Sequence, residues 1–115
     1  MTPNTQELQR LLDAVEAGLP SPTNWRDFEA IPTGTNDTPG PILAHRAYYG
    51  SLDAAKALHE ALLPGWDLLI TTYEDGLFEV SVSEPLVVKT YDGLSEIIAR
   101  AWLIAIIRAV MAGER

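Results

Sequence analysis

The chain has 115 residues, 47% hydrophobic and 21% charged, which is the size and balance of one globular domain and leaves no room for two substantial cores. Its 16 acidic residues against 8 basic ones give a net charge of −8, and the basic residues stand singly, so there is no patch to neutralise phosphates and direct nucleic-acid binding is disfavoured. The lack of cysteine removes disulfides, thiolate nucleophiles and cysteine metal sites; no apolar run reaches the roughly 18 residues of a membrane span, and the opening MTPNTQELQR has no apolar signal core, so the expected place is the cytoplasm.

Asn4 to Ala17 reads as an amphipathic helix, because Leu8, Leu11, Leu12 and Val15 recur on one helical face. Asn4 or Thr5 suits its N-cap, and Gly18 followed by Pro20 ends it. Ser21 to Gly40 is broken by prolines and glycines; only Trp25 to Ala30 predicts a short helical turn, and residues 31–41 read as a flexible connector. Apolar character returns from Ile42, through Tyr48 and Tyr49, to Gly50, as a short run leading into the next helix. Ser51 caps that helix and Leu52, Ala55, Leu58, Leu62 and Leu63 form its inward stripe, which Pro64-Gly65 terminates.

Two period-two runs follow, Trp66 to Tyr73 and Leu77 to Ser83, joined by Glu74-Asp75-Gly76. Asp-Gly between alternating runs predicts a β-hairpin, since glycine takes a positive φ without steric cost. Leu86-Val87-Val88 is the candidate third strand. Asp92 is then expected to cap a closing helix from about Gly93 to Ala112 that is apolar almost all round, so that its own sheet and helices, or a second copy, must cover two sides. These elements predict one α+β domain over residues 1–115. A small antiparallel sheet, a hairpin or three strands, is packed between α-helices in an α/β/α sandwich-like arrangement. Such a sheet is marginal alone, which points to a homo-oligomer, with a dimer favoured, through paired sheet edges or packed helices.

Three local patterns recur together: Ser51-Leu52-Asp53-Ala54-Ala55 at a helix start, Pro64-Gly65-Trp66 at its stop, and Ile107-Arg108-Ala109 late in the closing helix. With the hairpin between them, the opening ELQRLLDAVEAG and Trp25-Arg26, most of the chain resembles the phage ABA-sandwich family of small bacteriophage and prophage proteins. The resemblance implies a phage setting and a host-cell cytoplasm; it supplies no activity and no catalytic residue. The isoleucine-rich closing helix and Leu86-Val87-Val88-Lys89, in the connection from hairpin to helix, depart from the family pattern.

No catalytic, cofactor-binding or metal-binding motif is present. Two histidines cannot make a zinc site without further ligands at motif spacing, no glycine-rich phosphate loop occurs, and no serine sits in a Gly-x-Ser-x-Gly elbow. His59, one turn after Ala55, reads as a partly buried structural residue. His45, Arg46, Tyr48 and Tyr49 form the richest polar and aromatic cluster, with a loop anchored by two tyrosines as its structural explanation. Arg100 and Arg108 lie on flanks of the closing helix and, with Trp102, are candidates for an oligomer contact; core packing is the competing role for Trp102.

Three functional classes follow. The first is a small phage-type accessory protein acting by protein–protein association, with a host or phage partner and no catalysis. The second is an acidic decoy that blocks a host nucleic-acid-binding protein, which needs carboxylates arrayed at phosphate-like spacing on one face. The third is a small enzyme, which needs His45, Tyr48 or His59 to converge in a cleft.

Overall fold

A computed structural model describes residues 3–17, 28–32, 39–87 and 89–113 of the chain. The expected stop at Gly18 and Pro20, the Trp25 to Asp27 part of the short turn, residues 33–38 of the connector and Val88 lie outside these, as do the side chains of Asn4 and Thr5. The elements in order are α1 (Pro3–Ala17), α2 (Gly40–Tyr48), α3 (Leu52–Leu62), β1 (Asp67–Thr72), β2 (Phe78–Ser83), β3 (Thr90–Ser95) and α4 (Ile98–Gly113). The class is α+β, with a three-stranded antiparallel sheet in the order β1-β2-β3 packed against helices.

Local chemistry accounts for most boundaries. The α1 stripe of Leu8, Leu11, Leu12 and Val15 is buried, as its spacing predicts. The apolar run after residue 39 is itself a helix, α2, with Pro41 in its first turn, where a missing N–H costs nothing. Gly50 ends it at φ 106°: its N–H donates to the Ala47 carbonyl and the Ser51 N–H to that of Arg46, a Schellman closure that uses a conformation glycine tolerates. Ser51 then caps α3, its Oγ accepting the Ala54 N–H at 3.1 Å. Pro64-Gly65 ends that helix in a turn closed by the Trp66 N–H on the Leu63 carbonyl.

The hairpin forms where Asp-Gly predicts it, with Gly76 at φ 87° and Thr72 opposite Phe78. Two expectations beyond it are corrected. The third strand is Thr90–Ser95 and not Leu86-Val87-Val88; Leu86 instead occupies the third position of a Glu84–Val87 turn. The closing helix begins at Ile98 and not near Gly93, because Asp92 and Gly93 are paired with Ser81 and Val80 inside the sheet. Asp92 therefore does not cap the helix: its carboxylate accepts the hydroxyl of cross-strand Ser81 at 2.6 Å. Ser95 supplies the local turn instead, its Oγ accepting the Ile97 N–H.

Among the described residues, α4 makes most of the helical contact with the sheet, on β2 and β3, while α1, α2 and α3 also pack on α4. The layer enclosed on two sides is thus α4. Its residues Ala101 to Ile107 are all buried, so the chain's own elements cover the all-round apolar helix. Gly93 permits this approach: a Cβ there would lie 2.8 Å from the Ala105 nitrogen and nearer still to the Ala101 carbonyl oxygen. No helix among the described residues is long and apolar enough to cross a membrane.

Candidate association surface

The residues singled out in the sequence are mostly engaged inside the chain. His59 is 6% exposed; its Nε2 lies 3.1 Å from the Trp66 carbonyl oxygen and its Nδ1 3.1 Å from Trp102 Nε1. Trp102 is itself buried, its ring 5.7 Å from that of His59 on α3, in its core-packing role. Arg100 stands with its guanidinium 4.1 Å from the centre of the Tyr48 ring and donates from Nε to the Tyr48 carbonyl, tying α4 to the end of α2. Arg108 donates to the Asp92 carbonyl and pairs with Glu16 at 3.0 Å, joining α4, β3 and α1.

The cluster around α2 does come together. His45 packs edge-on to Phe28 at 5.3 Å and against Tyr49 at 5.0 Å; Tyr48, also 5.0 Å from Tyr49, is buried beneath them, while Arg46 is exposed. Its members anchor the Phe28 turn to α2, which is the structural role expected of two tyrosines. His45 and His59 belong to different clusters, one on Phe28 and Tyr49, the other on Trp66 and Trp102. Among the described residues no three His, Asp or Glu side chains are grouped to hold a metal ion.

What the sequence reading missed is the state of β1. Every residue of this strand except Thr71 is exposed, including Leu68 at 40%, Leu69 at 64% and Ile70 at 41%. The cause lies in the strand order. β1 is an edge, and α4 sits over β2 and β3, so the helix-facing side chains Leu68 and Ile70 project beyond the helix that buries their neighbours Val82 and Val80. One signal was available: Leu68-Leu69-Ile70 is apolar on both faces, which a half-buried strand does not need.

Hydrogen-bond alternation identifies the free backbone groups. The Tyr73 N–H donates to the Leu77 carbonyl, so Tyr73 and Leu77 form a bonded pair, and so do Thr71 with Glu79 and Leu69 with Ser81 two and four residues on. Leu68, Ile70 and Thr72 therefore turn their N–H and C=O groups outward, and among the described residues nothing pairs with them. The opposite edge differs. The same alternation turns Asp92 outward on β3, and there the Arg108 guanidinium occupies its carbonyl. At one edge a charged side chain occupies the Asp92 carbonyl; the other is open among the described residues and carries no Lys or Pro. No protein-family model, curated protein or solved structure matches this chain.

Proposed function

We propose that the chain works by association with another protein, through the β1 edge and the apolar side chains beside it, and performs no chemistry of its own. The observation that carries this reading is the contrast between the two sheet edges: on one side a row of backbone donors and acceptors, unpaired among the described residues and flanked by Leu68, Leu69 and Ile70, and on the other an edge whose Asp92 carbonyl is taken by Arg108. Addition of a strand to such an edge takes affinity from main-chain hydrogen bonds and specificity from alternate side chains. The resemblance to phage ABA-sandwich proteins makes the setting a bacteriophage or prophage and the partner a host or phage protein in the host cytoplasm. The engagement of both His59 ring nitrogens by protein groups, and the separate settings of His45 and His59, support a non-catalytic role.

The test is affinity capture from infected or lysogenic cells with the natural chain and with Ile70→Lys, which charges the open edge at a solvent-exposed position. A partner retained by the natural chain and lost by the variant is expected. Identical recovery with both chains would overturn the reading.

A further inference from the structure

We infer, building on the association reading, that the β1 edge is occupied by a second copy of this chain, the two β1 strands running antiparallel about a two-fold axis at Ile70 to make one six-stranded sheet. Three observations select this occupant. The first is that the closing helix does not need a second copy, since α4 is covered by α1, α2, α3 and the sheet, and that Arg108 occupies the Asp92 carbonyl on the β3 edge, whereas among the described residues nothing pairs with the outward groups of β1. Two β1 edges related by a two-fold axis satisfy each other's backbone groups.

The second observation is register. Leu68, Ile70 and Thr72 face outward with their backbones, and the seam that engages all three in both copies pairs Ile70 with Ile70 and Leu68 with Thr72. In that register the two Ile70 side chains meet on the axis and each Leu68 lies against Thr72 of the other copy, which continues a strip that each monomer leaves exposed.

The third is charge. For a chain of net charge −8, self-association must keep carboxylates apart. Asp67, the only charged residue of β1, falls opposite Tyr73, and the two Asp67 side chains end up about 20 Å apart along the seam, beyond a Debye length at physiological salt. Two six-residue edges bury roughly a few hundred Å² per copy, short of the ~800 Å² per partner of a standard stable interface, so the dimer should dissociate on the order of micromolar to tens of micromolar.

The purified chain in analytical ultracentrifugation tests this directly. A monomer–dimer equilibrium is expected, weakened at least tenfold by Ile70→Lys, which sets two cations face to face on the axis. The absence of native cysteine allows a second readout. Ile70→Cys should form a disulfide-linked dimer under mild oxidation, because a bonded cross-strand pair brings Cα atoms within disulfide range, whereas Leu68→Cys should not, since the two copies of that position lie four residues out of register. A strict monomer at several hundred micromolar, a dimer indifferent to Ile70→Lys, or faster crosslinking through Leu68→Cys would overturn the proposal. A monomeric chain that still retains a different protein only through an intact edge removes self-pairing and leaves the association reading standing; a self-dimer broken by Ile70→Lys, with captured partners unchanged, does the reverse.

Discussion

Trp102 donates its indole N–H to Nδ1 of His59 at 3.1 Å, across 43 residues of sequence. An indole is only a donor, so Nδ1 accepts; the ring proton is on Nε2, which donates to the Trp66 carbonyl one residue before β1. A relay of two hydrogen bonds thus ties α4, through α3, to the start of the open edge strand. Trp102→Phe keeps a ring but strands a buried acceptor, and should lower unfolding free energy by about 1–3 kcal/mol in urea titration. Combined with His59→Phe, the loss should fall short of the sum of the two single losses. Additivity within about 0.5 kcal/mol would show that the pair is not coupled.

Gly93 is the point of closest approach between sheet and helix. Gly93→Ala pushes a methyl against the backbone of Ala101 and Ala105, neither of which can swing aside, and should cost at least about 2–3 kcal/mol or prevent folding. Gly113→Ala meets open space and serves as the control. Thermal unfolding that separates the two variants by less than a few degrees would refute the packing argument.

Two turns share one plan and differ at one residue. Pro64-Gly65 and Pro85-Leu86 both place proline second and a positive φ third, at 81° for Gly65 and 67° for Leu86. Leu86 is fully exposed and makes no packing that would offset the left-handed conformation. Leu86→Gly should therefore stabilise the chain, by about 1 kcal/mol, read as a higher urea midpoint at unchanged slope. A lower midpoint would mean that Leu86 makes a contact worth more than its strain.

The Tyr73 hydroxyl donates to Glu79 Oε1 at 3.1 Å. That hydrogen bond, and secondarily the Glu79 charge, raise the phenol above its ordinary value of 10.0. The neutral phenol is the form favoured in the fold, so the stabilisation is present below pH 10 and disappears as pH rises through the raised value. Ultraviolet titration should find Tyr73 ionising above its ordinary value, and Glu79→Gln should bring it back toward that value. A late tyrosine that persists in the variant would reassign the effect.

Arg108 holds the β3 edge. Its ion pair with Glu16 has side chains 39% and 41% exposed, so Arg108→Ala should cost no more than about 1 kcal/mol in stability. The larger effect concerns assembly. Freeing the Asp92 carbonyl leaves two open edges per chain, and head-to-tail sheet growth then has no closing step. Light scattering should show higher oligomers with Arg108→Ala that the natural chain does not form. Unchanged particle size at millimolar concentration would overturn this role for Arg108.

Features legible in the sequence share a short range. Ser51 three residues before Ala54, Pro64 beside Gly65, and Gly76 after Asp75 each specify a cap or turn through backbone chemistry within a few positions. Thr90 to Ser95 escaped notice because aspartate and glycine at its centre disfavour strands and interrupt the pattern that Thr90 and Tyr91 begin. That segment is a strand because β2 offers a partner and because Gly93 makes room for α4, and neither condition is written within its six residues. For the same reason, Asp92 read as a helix cap when it is a cross-strand acceptor for Ser81.

By itself the sequence determined where α3 starts and stops, that a hairpin follows Pro64-Gly65, and that the last helix needs cover on two sides, since each follows from local sterics, hydrogen-bond geometry or periodicity. The tertiary structure decided who provides that cover and what is left over. With α4 seated on β2 and β3 and Arg108 reaching the Asp92 carbonyl, β1 overhangs the helix with its outer edge unpaired among the described residues. Exposure of Leu68 and Ile70 depends on strand order and helix position, long-range properties that residue spacing along the chain does not contain.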